Sequence, residues 1–175
     1  IDVGTGAGFP GLVLKIAKPE IHLTLLDSLN KRLTYLQAVS DEIGIPDIEV
    51  VHARAEDAGN NTLYREKFDT AVSRAVANMT LLAELTLPFV RTGGRLLALK
   101  GPLAAEELDA AKRAVHILGG EIEDIFRADI PFTDLSHSIV IIKKVRHTPN
   151  KYPRKPSVIS KTPITSPYNK NQKYK

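Results

Sequence analysis

Asp2-Val3-Gly4-Thr5-Gly6-Ala7-Gly8-Phe9-Pro10-Gly11 is the stretch that decides the fold: a strand end, a glycine-dense turn and the start of a helix. Four glycines within eight positions remove the Cβ atoms that would hold the backbone away from a ligand, and they permit the positive φ angles of a tight turn. Pro10 suits the first helical position, whose N–H has no intrahelical partner. Leu12, Val13, Ile16 and Ala17 then follow at the apolar spacing of a helix. The sequence predicts a strand, loop and helix closing around a nucleotide-like ligand.

Two cofactors fit this loop. Gly6-x-Gly8-x-x-Gly11 satisfies the dinucleotide fingerprint, in which a pyrophosphate sits on the helix N-terminus and the chain would be an NAD-dependent oxidoreductase. Asp2-x-Gly4-x-Gly6-x-Gly8 instead resembles the acidic first motif of Rossmann-like methyltransferases, whose glycines surround S-adenosylmethionine. Asp2 favours the second: a carboxylate at the strand end can help position the cationic amino-acid part of that cofactor, but would repel a pyrophosphate. On this reading Asp2, Gly4, Gly6 and Gly8 are cofactor-binding residues.

Working outward, Ile21 to Leu26 reads as a buried second strand ending at Asp27, about 20 residues after the loop, where a carboxylate can accept the ribose hydroxyls of a nucleoside. Leu29, Leu33, Leu36, Ala38 and Ile43 mark a helix stopped by Gly44, with Lys31 and Arg32 on a solvated face. After a third strand, Ile48 to Val51, the loop residues Ala55, Glu56 and Asp57 are candidates for an adenine edge. A fourth strand, Phe68 to Ser73, runs into Arg74, whose guanidinium suits a carboxylate, a phosphate or a guanine edge. Lys100 falls at the end of a fifth strand, Arg95 to Leu99, reached through Gly93-Gly94, and is a further substrate-handling candidate. Two strands near Glu121–Ala128 and Ser138–Val145 have no helix between them, which implies an antiparallel edge hairpin. The predicted fold is α/β and Rossmann-like, a mostly parallel twisted sheet with that hairpin at its edge.

The 175 residues suit one domain, 43% hydrophobic and 25% charged. Cysteine is absent, which excludes disulfides and thiol catalysis. No apolar run approaches the roughly 18 residues of a membrane span, so a cytoplasmic, monomeric protein is expected. The five histidines are too scattered for a metal centre. Charge divides unevenly: residues 1–145 carry a formal −4, whereas residues 146–175 carry +8 with no acid and are interrupted by Pro149, Pro153, Pro156, Pro163 and Pro167. The expected organisation is a cofactor-binding domain over 1–145 and a flexible basic tail that meets phosphates. Within the tail Lys151, Tyr152, Arg154 and Lys155 combine an aromatic with cations, as RNA contact requires. The sequence begins inside the first strand, so an upstream segment is expected.

Taken together, Asp2 to Gly11, Leu25-Leu26-Asp27-Ser28-Leu29-Asn30-Lys31-Arg32, Ala53-Arg54-Ala55-Glu56, Val72-Ser73-Arg74-Ala75, Ala98-Leu99-Lys100-Gly101 and Lys151-Tyr152-Pro153-Arg154-Lys155 resemble one family. It is the bacterial small-subunit ribosomal RNA guanine-N7 methyltransferases, known as RsmG or GidB. The resemblance implies methyl transfer from S-adenosylmethionine to a guanine of 16S ribosomal RNA, with the RNA or the small ribosomal subunit as partner. It implies a cofactor site lined by Gly4, Phe9, Asp27, Ser28, Leu29, Ala55, Glu56 and Arg74, and a helical segment ahead of the first strand. A non-catalytic RNA-binding fragment of the same fold is the rival from another class.

Overall fold

The computed structural model describes residues 1–101, 104–130, 132–133 and 136–164. Seven strands form one sheet: β1 (Asp2–Val3), β2 (Leu23–Asp27), β3 (Ile48–His52), β4 (Phe68–Arg74), β5 (Val90–Lys100), β6 (Gly120–Asp129) and β7 (Ser136–Lys144). Their order across the sheet is β3-β2-β1-β4-β5-β7-β6. The first five run parallel, and β7 inserts antiparallel between β5 and β6. The strand order reverses at β1, between β2 and β4. An open α/β sheet has its ligand crevice at such a switch point, and the glycine loop emerges there.

Helices cover both faces: α1 (Gly11–Ala17), α2 (Asn30–Glu42), the single turn α3 (Ala55–Ala58), α4 (Met79–Thr86), α5 (Ala104–Ile117) and α6 (Pro156–Lys161). All five residues of β2 are buried, as a central parallel strand demands. Successive side chains of β2 serve opposite faces. Leu25 joins Leu12, Leu33 and Leu36 under α1 and α2, whereas Leu26 joins the larger cluster with Met79, Leu82, Leu108 and Val115 under α4 and α5.

Two expectations are corrected. Gly93 and Gly94 lie inside β5 rather than ahead of it: Gly94 packs so closely on β4 that a Cβ there would stand 2.4 Å from the Asp69 carbonyl oxygen. The basic segment, expected to be flexible from Arg146 onward, is packed on the domain as far as Ile164. Tyr152 and Ile164 belong to the main core, and Ile159 of α6 is buried. Its polar anchors are two acids, one buried and one partly buried: Glu84 of α4 (1% side-chain exposure) takes the Arg154 guanidinium and backbone N–H, and Glu66 takes the Thr148 N–H and His147 Nδ1. Arg65 adds bonds to the carbonyls of Thr148 and Tyr152. The remaining tail, 165–175, lies outside the described residues.

Candidate active site

A pocket of about 550 Å³ opens at the carboxyl ends of β1, β2 and β4. Its floor is the glycine loop, which the backbone can form only with left-handed residues: φ is +71° at Gly4 and +59° at Gly6. Gly4 has a second reason to lack a side chain, since a Cβ would stand 2.7 Å from Val76 Cγ2, the residue that covers the loop from the end of β4. Ala75, beside it, also has positive φ (55°), so the turn after β4 holds strain at the pocket wall.

Of the residues expected to bind the cofactor, the structure brings Gly4, Gly6, Phe9, Asp27, Ser28, Ala55, Glu56 and Arg74 together in this one pocket. Asp27 is 3% exposed at its side chain. Its Oδ2 accepts from Gly6 N–H (3.0 Å) and Arg32 (3.3 Å), and its Oδ1 accepts from Leu29 N–H (2.9 Å). These bonds fix the carboxylate and tie the end of β2 to the loop. Glu56 is nearly buried at the start of α3, with Arg54 3.5 Å away. Arg74, at the end of β4, sets its guanidinium over the Phe9 ring, 5.5 Å from the centroid, so the two form one wall.

Several expected site residues have other work. Asp2 does not line the pocket. It is fully buried, and its Oδ2 accepts from Thr5 Oγ1 (2.8 Å) and from Gly11 N–H (2.9 Å), pinning both ends of the loop. Burial pushes its carboxyl above the usual range, opposed by those two bonds. The same bond occupies the Gly11 N–H that a pyrophosphate would need at the start of α1. Gly8 also lies off the pocket, with Leu36 filling the space a Cβ would take. Leu29 lines a neighbouring groove instead. Lys100 turns away, donating to the Ala77 carbonyl (2.8 Å) and pairing with Glu107 (2.7 Å), so its ammonium braces the loop after β4 against α5. Tyr152 and Arg154 are structural, as described above; Lys151 and Lys155 are exposed.

Sequence reading missed Arg32, Arg54, Val76 and Leu85 as lining residues. Arg32 carried a signal, lying five positions after Asp27 and so one turn into α2, within reach of that carboxylate. Leu85 comes from the far side of α4 and has no local pattern that marks it.

A model for the rRNA small subunit methyltransferase G family, GidB, matches residues 1–130. The chain belongs to that family. The methyltransferase G of Clostridium botulinum strain 657 is 53% identical, and that of Alkaliphilus oremlandii 54%, each over 94% of this chain and 69% of the relative. In fold, the chain is similar to a 16S rRNA adenine methyltransferase from Catenulisporales acidiphilia solved with S-adenosylmethionine. That match has a TM-score of 0.67 at 17% identity, over 83% of this chain and 84% of that one. It is likewise similar to the antibiotic-resistance methyltransferase Kmr, with a TM-score of 0.65 at 19% identity, over 82% and 85%. Family membership removes the oxidoreductase alternative, in agreement with the occupied Gly11 N–H.

The pocket fits S-adenosylmethionine on its own chemistry. Its volume lies in the range of roughly 300–1,000 Å³ for small-molecule sites. A Cβ on Gly6 would meet nothing nearer than the Gly4 carbonyl oxygen at 4.0 Å, so the loop backbone is open to close approach. Asp27 and Glu56 offer acceptors for a nucleoside, and Leu26, Ala53, Val76 and Leu85 offer apolar surface for a base. Among the described residues there is no group of three His, Asp or Glu that could hold a metal, and no helix long and apolar enough to cross a membrane.

Proposed function

We propose that this chain transfers a methyl group from S-adenosylmethionine to N7 of a guanine in 16S ribosomal RNA, in the cytoplasm. The observation that carries this reading is the pocket at the switch point, where Asp27, Glu56 and the glycine loop meet Arg74 in a chain of the rRNA methyltransferase G family. When bound, the cofactor supplies an electrophilic sulfonium methyl. Guanine N7 carries an in-plane lone pair and no proton, so its attack needs alignment and a complementary field rather than a strong base. That accounts for a pocket lined by neither His nor Cys.

The roles of the chain's own residues follow from their geometry. Asp27, already fixed by Gly6 and Leu29, keeps acceptor capacity on Oδ1 for a ribose hydroxyl. Glu56 offers an acceptor from the start of α3. Arg74 is exposed and supported from beneath by Phe9, so it presents donors to an incoming guanine O6 or phosphate without blocking N7. Lys100, paired with Glu107, takes no direct part. Lys151 and Lys155 remain available to RNA on the outside of the packed tail segment.

The test is methyl transfer from labelled cofactor to 16S ribosomal RNA transcribed in vitro, which carries no modification, followed by chemical cleavage at N7-methylguanine. Label at a single guanine is expected, with kcat/KM lowered about 100-fold in Arg74→Ala. Absence of label, or label on another base, overturns the reaction. Arg74→Ala working at the unaltered rate overturns the role of Arg74 alone. Cofactor binding without transfer would favour the RNA-binding rival.

A further inference from the structure

We propose that the substrate RNA strand crosses the outside of the glycine loop, with a base neighbouring the target stacked on Tyr35 and a phosphate met by Lys31. The proposal rests on the methyltransferase reading above and names the docking surface of that same site.

A groove of about 520 Å³ lies against the pocket mouth, lined by Gly6, Ala7, Leu29, Asn30, Lys31, Arg32 and Tyr35. It shares Gly6, Ala7 and Arg32 with the pocket, so whatever lies in it reaches the reacting centre directly. Large apolar side chains crowd this mouth in the open: Tyr35 is 59% exposed, Leu29 51% and Phe9 51%. Such a cluster at the mouth of a pocket marks an interaction surface. Tyr35 and Lys31 stand four residues apart on α2, hence one above the other on the same face.

The chemistry of the lining selects the partner. Its cations are Lys31 and Arg32, the latter tied to Asp27, and it carries no acid of its own, although residues 1–145 as a whole are net negative. An exposed ring beside a cation is the arrangement on which single-stranded nucleic acid stacks and places its backbone. The other aromatic and basic cluster cannot offer this, because the Tyr152 ring is buried and Arg154 is spent on Glu84. Phe9 is engaged by Arg74. Tyr35 is the open aromatic adjoining the pocket, and no hydrogen bond within the described residues occupies Lys31.

Tyr35→Ala and Lys31→Ala would be compared with the unaltered chain. Binding to in-vitro transcribed 16S ribosomal RNA would be measured between 50 and 200 mM salt, and S-adenosylmethionine affinity by calorimetry. Loss of one stacked base weakens RNA binding roughly 5- to 150-fold at every salt concentration. Loss of one phosphate contact reduces the slope of log affinity against log salt by about 1. Both variants keep cofactor affinity and melting temperature, because both side chains are exposed. RNA affinity and slope unchanged in both variants, or cofactor affinity falling along with RNA affinity, overturns the proposal, the first result pointing to a protein partner for the groove. RNA binding that weakens as stated in a chain that transfers no methyl would leave the proposal standing and defeat the reaction. Methylation by the unaltered chain with KM unchanged in both variants would defeat the proposal alone.

Discussion

Replacing Arg154 by alanine tests whether the basic segment is a structural clasp. Glu84 is 1% exposed at its side chain, and each hydrogen bond described for its carboxylate comes from Arg154: backbone N–H 2.9 Å, Nε 2.8 Å and one terminal nitrogen 2.6 Å. Removing the guanidinium leaves a buried charge with one backbone donor. Breaking a buried pair in this way costs about 3–5 kcal/mol, and because Arg154 itself is about one-fifth exposed the lower end applies, about 3 kcal/mol. For a chain of this size each kcal/mol moves the melting temperature by about 2–4 °C, so Arg154→Ala should melt about 6–12 °C lower by circular dichroism. Adding Glu84→Gln to that variant should recover part of the loss, since an unpaired amide is less costly to bury than an unpaired carboxylate. A fall of less than about 2 °C in Arg154→Ala, or no recovery in the double variant, would refute the clasp. If RNA binding then dropped with melting unchanged, Arg154 would instead be the RNA ligand that its sequence context suggests.

The glycines of the loop should separate by function. Gly11→Ala puts a Cβ 2.7 Å from Asp2 Oδ2 and 3.0 Å from Leu25, an overpacking that costs about 1–3 kcal/mol and should appear as a lower melting temperature. Gly6→Ala and Gly44→Ala both impose a left-handed φ with no close neighbour, at about 1–2 kcal/mol each, but only Gly6→Ala should also weaken S-adenosylmethionine binding by calorimetry; equal affinities in these two would place the cofactor elsewhere. Lys144 is fully buried against Glu66, the Leu87 carbonyl and Thr148, with Arg65 and His147 nearby, and burial pushes its ammonium down to about 8. The unfolded chain therefore holds this proton more tightly than the folded one, and the stability difference between the unaltered chain and Lys144→Met should shift in favour of the unaltered chain between about pH 8 and pH 10.5, with no such shift from this residue below pH 8. Denaturant titrations of both chains at pH 7 and pH 10 would check this, and a pH-independent difference would count against the buried ammonium.

The mostly parallel sheet with its antiparallel edge, and the glycine loop, were legible because both follow from the succession of local elements along the chain. Strand, glycine turn and helix follow one another along the chain, and Asp27 lies one such unit after the loop, a spacing that the parallel crossover itself sets. What could not be read was the direction in which a strand-end side chain points. Lys100 sits at the carboxyl end of β5, as expected, and Asp2 one residue before the end of β1, yet Asp2 turns to the Gly11 N–H, and the Lys100 stem is long enough to reach back to Ala77 and Glu107.

The tail fails for a related reason. Net charge counts cations without their partners, and the partners here, Glu66 and Glu84, lie 70 or more positions back in sequence. Part of the charge asymmetry is therefore internal pairing across the fold rather than free attraction for phosphate. The clue in the sequence was apolar rather than basic: Tyr152, Ile159 and Ile164 recur along the segment, and a freely solvated arm has no use for them. The prolines read as breaking regular structure fit this equally well, since Pro153 packs against Gly59 and its carbonyl accepts from Asn60, so the strap crosses the end of α3. Glu56, on that same helical turn, lines the pocket at the switch point. A segment that looked like an appended arm is thus part of what holds the pocket wall in place.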